Sequence, residues 1–453
     1  MIAPQQLIER VLSRATVDET IVIVTDASEA SLRWARNSMT TNGVSTSRSW
    51  TVVSIVRDGE TARVGIVSST SVNSADIDAV VRSAELAARA AGPASDSMPL
   101  LTGTTAEDSW DDGAEHTEIS AFEQLARDLS MGFDRTDELY GFAHHRLHTS
   151  WLGTSTGIRR RVVQPTGSVE INGKRGDASA WVGTSTKDFT DVACGKMLHE
   201  LSTRLDWAST RVELPAGRFE TVLPPSAVAD LMICLMWAME GRGAEEGRSA
   251  LSAPGGTRIG ERLTTLPLTL YSNPVEPGLE YAPFVTAGSS SESLSVFDNG
   301  MDTGRVDWVR DGTVNALAYP RAAAKEFGAD VAVPGDNLIL DAAGSLSLDQ
   351  MVAETERGLL LTTLWYIREV DPAALLLTGL TRDGVYLIEN GKITASVNNF
   401  RFNESPLDLL RRVTQAGATE RTLPREWNDW FTRTAMPPLR IPDFHMSSVS
   451  KAL

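Results

Sequence analysis

The stretch 224–243, PPSAVADLMICLMWAMEGRG, constrains this chain more than any other. Val228, Leu231, Met232, Leu235, Met236 and Met239 recur at helical spacing, while Ile233, Cys234 and Trp237 fill the other side. A helix that is apolar all round has to be buried. Crossing a bilayer takes about 20 apolar residues, and this helix, roughly 14 long, falls short, so it belongs inside a globular core. Ser226 is expected to cap its start and Gly241 to follow its end, giving a helix over 226–241. Between Asp230 and Glu240 there is no charged, histidine or hydroxyl side chain. That stretch therefore offers shape and apolar contact, and of its side chains Cys234 alone is a usual zinc ligand.

A chain of 453 residues exceeds a single core, and two domains of about 200 residues each are expected. The net charge of −17, with no basic stripe, excludes a nucleic-acid binder, because affinity for phosphates needs clustered Lys and Arg. No apolar run reaches membrane length. Near the start, Leu7, Val11 and Leu12 alternate with Glu9 and Arg10, the pattern of a surface helix and not of a signal peptide. The two cysteines, Cys194 and Cys234, sit in apolar helical patterns, so no disulfide framework is expected and a reducing cytoplasm is the simplest location.

In chain order, 20–25 and 51–57 read as strands, and Arg57-Asp58-Gly59-Glu60 as a hairpin turn into a strand over 62–68. Ser74 is expected to cap a helix whose apolar face is Ile77, Val80, Val81, Ala84, Ala87 and Ala88. The carboxylates of 92–117 (Glu107, Asp108, Asp111, Asp112, Glu115) fit no calcium-loop spacing, so this reads as a solvated loop. Phe122, Leu125, Ala126 and Leu129 give a second helix, followed by a long strand over 139–152 that pairs with 158–163. After Trp207 short strands, Gly and Pro take over, which divides the chain into 1–210 and 211–453. In the second part Asp298-Asn299-Gly300, Arg310-Asp311-Gly312 and Glu389-Asn390-Gly391 read as hairpin turns, and 348–356 as a helix.

Three motifs imitate catalytic ones. Gly153-Thr154-Ser155-Thr156-Gly157 matches the G-x-S-x-G nucleophile elbow letter for letter, but an elbow needs a helix after it, and Ile158-Arg159-Arg160-Arg161-Val162-Val163 has no helical periodicity. A hairpin turn is expected instead. His144 and His148 share one face of a strand but lie about 13 Å apart along it, too far to hold one metal. His199-Glu200 sits on a helix packed through Cys194, Met197, Leu198, Leu201 and Leu205. A metallopeptidase helix needs a second histidine one turn on, and Thr203 and Arg204 occupy the available positions.

The late segment TGLTRDGVYLIENGKI at 378–393, with NFRFN at 399–403, resembles the "IENGK" hairpin of the TldD/PmbA family, the zinc-peptidase assemblies also called modulators of DNA gyrase. Arg36-Asn37-Ser38, Gly157 and Pro438-Leu439-Arg440-Ile441 add to the resemblance, which covers nearly the full length. It implies an α+β fold of two domains, an N-terminal mixed α/β domain and a C-terminal β-rich domain. Catalytic, TldD-type members are similar in carrying an H-E-x-x-x-H helix, an E-G pair after it and a late cysteine. Matched on Glu240-Gly241, the two histidines fall at Met232 and Trp237, the glutamate at Ile233 and the cysteine at Leu423. All four positions lack that chemistry.

The resemblance thus implies a TldE/PmbA-type pseudoenzyme subunit with no catalytic residue, no metal and no cofactor of its own. Zinc is expected in a TldD-type catalytic partner that degrades unfolded or extended peptides. Met232, Ile233, Trp237 and Leu423 are then degenerate zinc-site positions expected to line a cleft. Two other functions compete: a peptide-binding protein that acts without a catalytic partner, and a hydrolase with a relocated active site. The second would need a nucleophile and a base that the motifs above do not supply.

Overall fold

The computed structural model describes residues 2–134 and 137–450. Its first half is built on one antiparallel six-stranded sheet of β1 (Glu19–Ala35), β2 (Ser38–Asp58), β3 (Thr61–Ser69), β4 (Glu138–Thr154), β5 (Arg159–Arg175) and β6 (Ala178–Thr186), in the order β3-β2-β1-β4-β5-β6. β1 and β2 run far beyond the expected 20–25 and 51–57. They continue to a two-residue turn at Arg36 and Asn37, both at positive φ (49° and 57°), and Asn37 fixes it by donating to the carbonyls of Phe133 and Asp137.

Helices α1 (Pro4–Arg14), α2 (Ser74–Ala90), α3 (Glu123–Phe133) and α4 (Cys194–Trp207) pack on this sheet. α2 begins at Ser74 itself, with Asn73 in the cap position, and it buries Ile77, Val81, Ala84 and Ala88. It lies so close to β3 that a Cβ on Gly65 would come within 2.1 Å of the Ala84 carbonyl oxygen. The loop 92–117 is not wholly solvated. Leu100 and Trp110 are buried, and Glu107 binds Arg160.

The second half holds a ten-stranded and a six-stranded sheet. In the larger, Gly217–Leu223 pairs antiparallel with Leu439–Val449 and parallel with Arg357–Leu361. The smaller runs from Thr313–Val314 to Glu420–Thr422. The chain is an α+β protein, in which Ile21, Ile23, Val53 and Ile55 of the first sheet share an apolar cluster with Phe284, Val296 and Phe297. No described helix is long and apolar enough to cross a membrane.

The apolar helix forms as α5 (Pro225–Trp237), directly after the strand Gly217–Leu223, and it packs against Thr434–Met436, Glu420–Thr422 and the helix Pro406–Arg412. Its ends differ from expectation. Pro224 takes the cap position, and Pro225, whose missing N–H would be unsatisfied there anyway, opens the helix. Ser226 lies inside it. Gly241 does not close α5 but opens a short helix, Gly241–Glu245, because Ala238 already ends the first.

The turns at Arg310-Asp311-Gly312 and Glu389-Asn390-Gly391 join paired strands, with Asp311, Gly312, Asn390 and Gly391 at positive φ. Asp298-Asn299-Gly300 is no hairpin. The Asn299 side chain is buried and bonds the backbone N–H and C=O of Ala287, which turns the segment inward.

Candidate functional site

The four positions matched to a zinc site do not share one environment. Met232 and Ile233 have no accessible surface and belong to the main core, so they line no open cleft. Their aliphatic and thioether side chains face neighbouring core residues because α5 is enclosed on all sides up to its last turn. Trp237, at that last turn, is 46% exposed. Leu423 is almost fully buried, directly after the strand Glu420–Thr422 that packs on α5, and it forms part of the wall of a cavity between the two halves.

What occupies the end of α5 is the loop 424–430, PREWNDW. Asp230, fully buried on α5, accepts backbone N–H bonds from Glu426 at 2.9 Å and Arg425 at 3.3 Å. The indole of Trp427 donates to the Asp230 carbonyl at 3.0 Å and meets Trp237 edge to face, ring centres 5.0 Å apart. Glu426 accepts the backbone N–H groups of Tyr366 and Ile367, each at 3.0 Å, where Tyr366 takes φ 55°. Arg425 lies between the rings of Trp181 and Trp365, at 5.2 and 4.8 Å, and pairs with Glu170 of β5 at 3.0 Å. One buried carboxylate thus pins a loop that carries indoles over the helix end and ties it to the first sheet.

Burial pushes the Asp230 carboxyl well above its usual range, against the pull of the two N–H groups. Burial likewise raises the Cys234 thiol, so this sulfur is held protonated.

The cavity beside Leu423 measures about 260 Å³ and is lined by His144, His148 and Glu170 from the first sheet, with Asp336, Trp430 and Arg433 from the second half. His144 and His148 both lie on β4, His144 stacked on Phe142, and burial is the main cause that lowers both imidazoles below their ordinary pKa. Among the described residues no group of three or more His, Cys, Asp or Glu side chains is placed to hold a metal. Thioether, indole and aliphatic side chains at the matched positions do not fit zinc.

The remaining motifs resolve as ordinary structure. Gly153–Gly157 spans the β4–β5 turn, where the Ser155 hydroxyl accepts the Thr20 N–H at 2.9 Å. Glu200 pairs with Arg204 along α4. The loop 424–430 was missed, although two tryptophans within four residues of a polar, proline-led segment are a visible signal.

Fold and site define an α+β protein in which the positions matched to a zinc site carry thioether, indole and aliphatic side chains. The model of the PmbA/TldA metallopeptidase C-terminal domain matches residues 216–448, just over half of the chain. The chain therefore belongs to the TldD/PmbA family. Three solved structures share its fold. TldE from Thermococcus kodakarensis has a TM-score of 0.76 at 14% identity, covering 98% of this chain and 99% of that one. A putative modulator of DNA gyrase from Bacteroides thetaiotaomicron VPI-5482 gives 0.76 at 16% identity, with 99% and 100% covered. Another, from Thermotoga maritima MSB8, gives 0.74 at 14% identity, with 97% and 99% covered. Among curated proteins none matches the sequence.

Proposed function

We propose that this chain is the non-catalytic, TldE-type subunit of a cytoplasmic, two-chain zinc metallopeptidase. Its partner is a TldD-type chain that holds the zinc and cuts unfolded or extended peptides. The observation that carries this reading is the substitution at Met232, Ile233, Trp237 and Leu423 in a chain that otherwise keeps the family fold. A zinc hydrolase needs ligands and a base at the metal, and core packing at two of these positions leaves no room to regain them. The fold relative named TldE supports the subunit type.

The test is co-expression of tagged chain with the TldD-type chain of the same organism, followed by native mass measurement. A stoichiometric complex is expected. A chain that stays unassociated, yet binds extended peptides on its own, would favour the free-standing binding protein.

A further inference from the structure

The first sheet treats its edges unequally. β6, at one end, lies against the second half of the chain, with the Ser185 hydroxyl donating to the Thr422 carbonyl at 3.4 Å. At the other end β3 covers β2 only over Trp50 to Asp58. The remaining part of β2, 38–49, pairs with β1 on one side, and among the described residues no strand pairs with its other side. Residues 38–47 are exposed without interruption.

Natural sheets blunt such edges with charges, prolines, bulges or a covering element. Here the one device is a register shift at Thr40, near the turn, which leaves 41–49 regular over about 30 Å. In a chain of net charge −17 this edge holds no carboxylate and no proline. Its single charge, Arg48, is already paired with Asp26 of the same chain at 2.6 Å. Val44, 48% exposed, and the threonines around it favour strand pairing.

We propose that this edge of β2 pairs with the same edge of a second copy of the chain, antiparallel across a two-fold axis, joining the two sheets into one of twelve strands. The edge is self-complementary. Antiparallel pairing sets residues of like orientation opposite each other. A register centred on Val44 meets that condition, placing Val44 against its own copy, Asn42 opposite Thr46 and Thr41 opposite Ser47. Arg48 then faces Thr40 and no like charges oppose, whereas the acidic surface elsewhere repels a second copy. Nine residues a side fall short of the roughly 20–30 of a standard interface, so the pairing is reversible and depends on concentration. It does not depend on the TldD-type partner.

Sedimentation of the purified chain tests this. The mean mass should rise from the 49.0 kDa of one chain toward twice that between about 1 and about 100 µM. Val44→Lys and Thr46→Pro should each hold it at one chain, with thermal melting showing that at least Val44→Lys is folded. Val44→Cys should oxidise to a covalent dimer, while Leu86→Cys, at a 67%-exposed position on α2, should not. A wild-type chain monomeric at the highest concentration, or equal cross-linking at both cysteines, overturns the proposal. So does loss of TldD-type partner binding in Val44→Lys without any self-association of wild type, which would give the edge to that partner.

Discussion

The half-exposed Trp237 and the fully buried Met232 and Ile233 predict different responses to substitution. Trp237→Ala removes an indole that is still partly in water, so chemical denaturation should show a loss of about 1–2 kcal/mol, less than for a core tryptophan. Restoring the motif with Met232→His, Ile233→Glu and Trp237→His buries two polar groups without partners at about 1–3 kcal/mol each or more, and the triple variant should aggregate or unfold. A folded triple variant that gains zinc would show that α5 opens toward a cleft. Asp230→Ala strips the acceptor from two part-buried N–H groups and should cost about 1–3 kcal/mol, with a red shift in tryptophan emission as Trp427 loosens. His148 has a pKa below its unfolded value, so its contribution to stability is present above about pH 6.5 and lost as the pH falls through the folded value. The melting temperature should therefore drop less between about pH 7.5 and pH 5 in His148→Gln than in wild type.

Among the elements, α2 and the β4–β5 hairpin were legible from one buried face, whereas β1 was followed only to residue 25 although Ala30, Leu32 and Trp34 alternate inward beyond it. The β4–β5 hairpin follows from the alternation through Tyr140, Phe142 and His144, and α2 from its apolar stripe. The outer part of β2 was missed because 38–47 is exposed on both faces, so no alternation marks it as a strand. Gly241 was misplaced because a glycine after an apolar run reads as a helix end, and here a second helix follows within the same turn of chain. Of the candidate site, the lost ligand positions follow from the resemblance alone. The loop 424–430 depends on Asp230, which lies far back in the chain and which no local pattern connects to it. Close contact between elements gives a further prediction. Gly65→Ala forces α2 off the backbone of β3, and it should destabilise the protein by about 1–3 kcal/mol in a thermal or denaturant melt.

At the scale of the molecule, the two halves are tied across the cavity by Arg425 with Glu170, and by Arg433, which donates to the Pro165 carbonyl. Of the four matched positions only Leu423 lines that cavity, while Met232 and Ile233 lie in the core of the second half. Elemental analysis of the purified chain should find zinc well below one per chain, unchanged by Cys234→Ala, because the donors at the matched positions are sulfur ethers, indole and alkyl groups. The proposed role, a subunit without peptidase chemistry that serves a partner which has it, is tested by turnover. The most direct measurement is hydrolysis of an unfolded peptide by the purified chain alone, by the TldD-type chain with it, and by that pair after chelation. No turnover is expected for the chain alone, and turnover that chelation abolishes is expected for the pair. Chelator-resistant hydrolysis by this chain alone would contradict it.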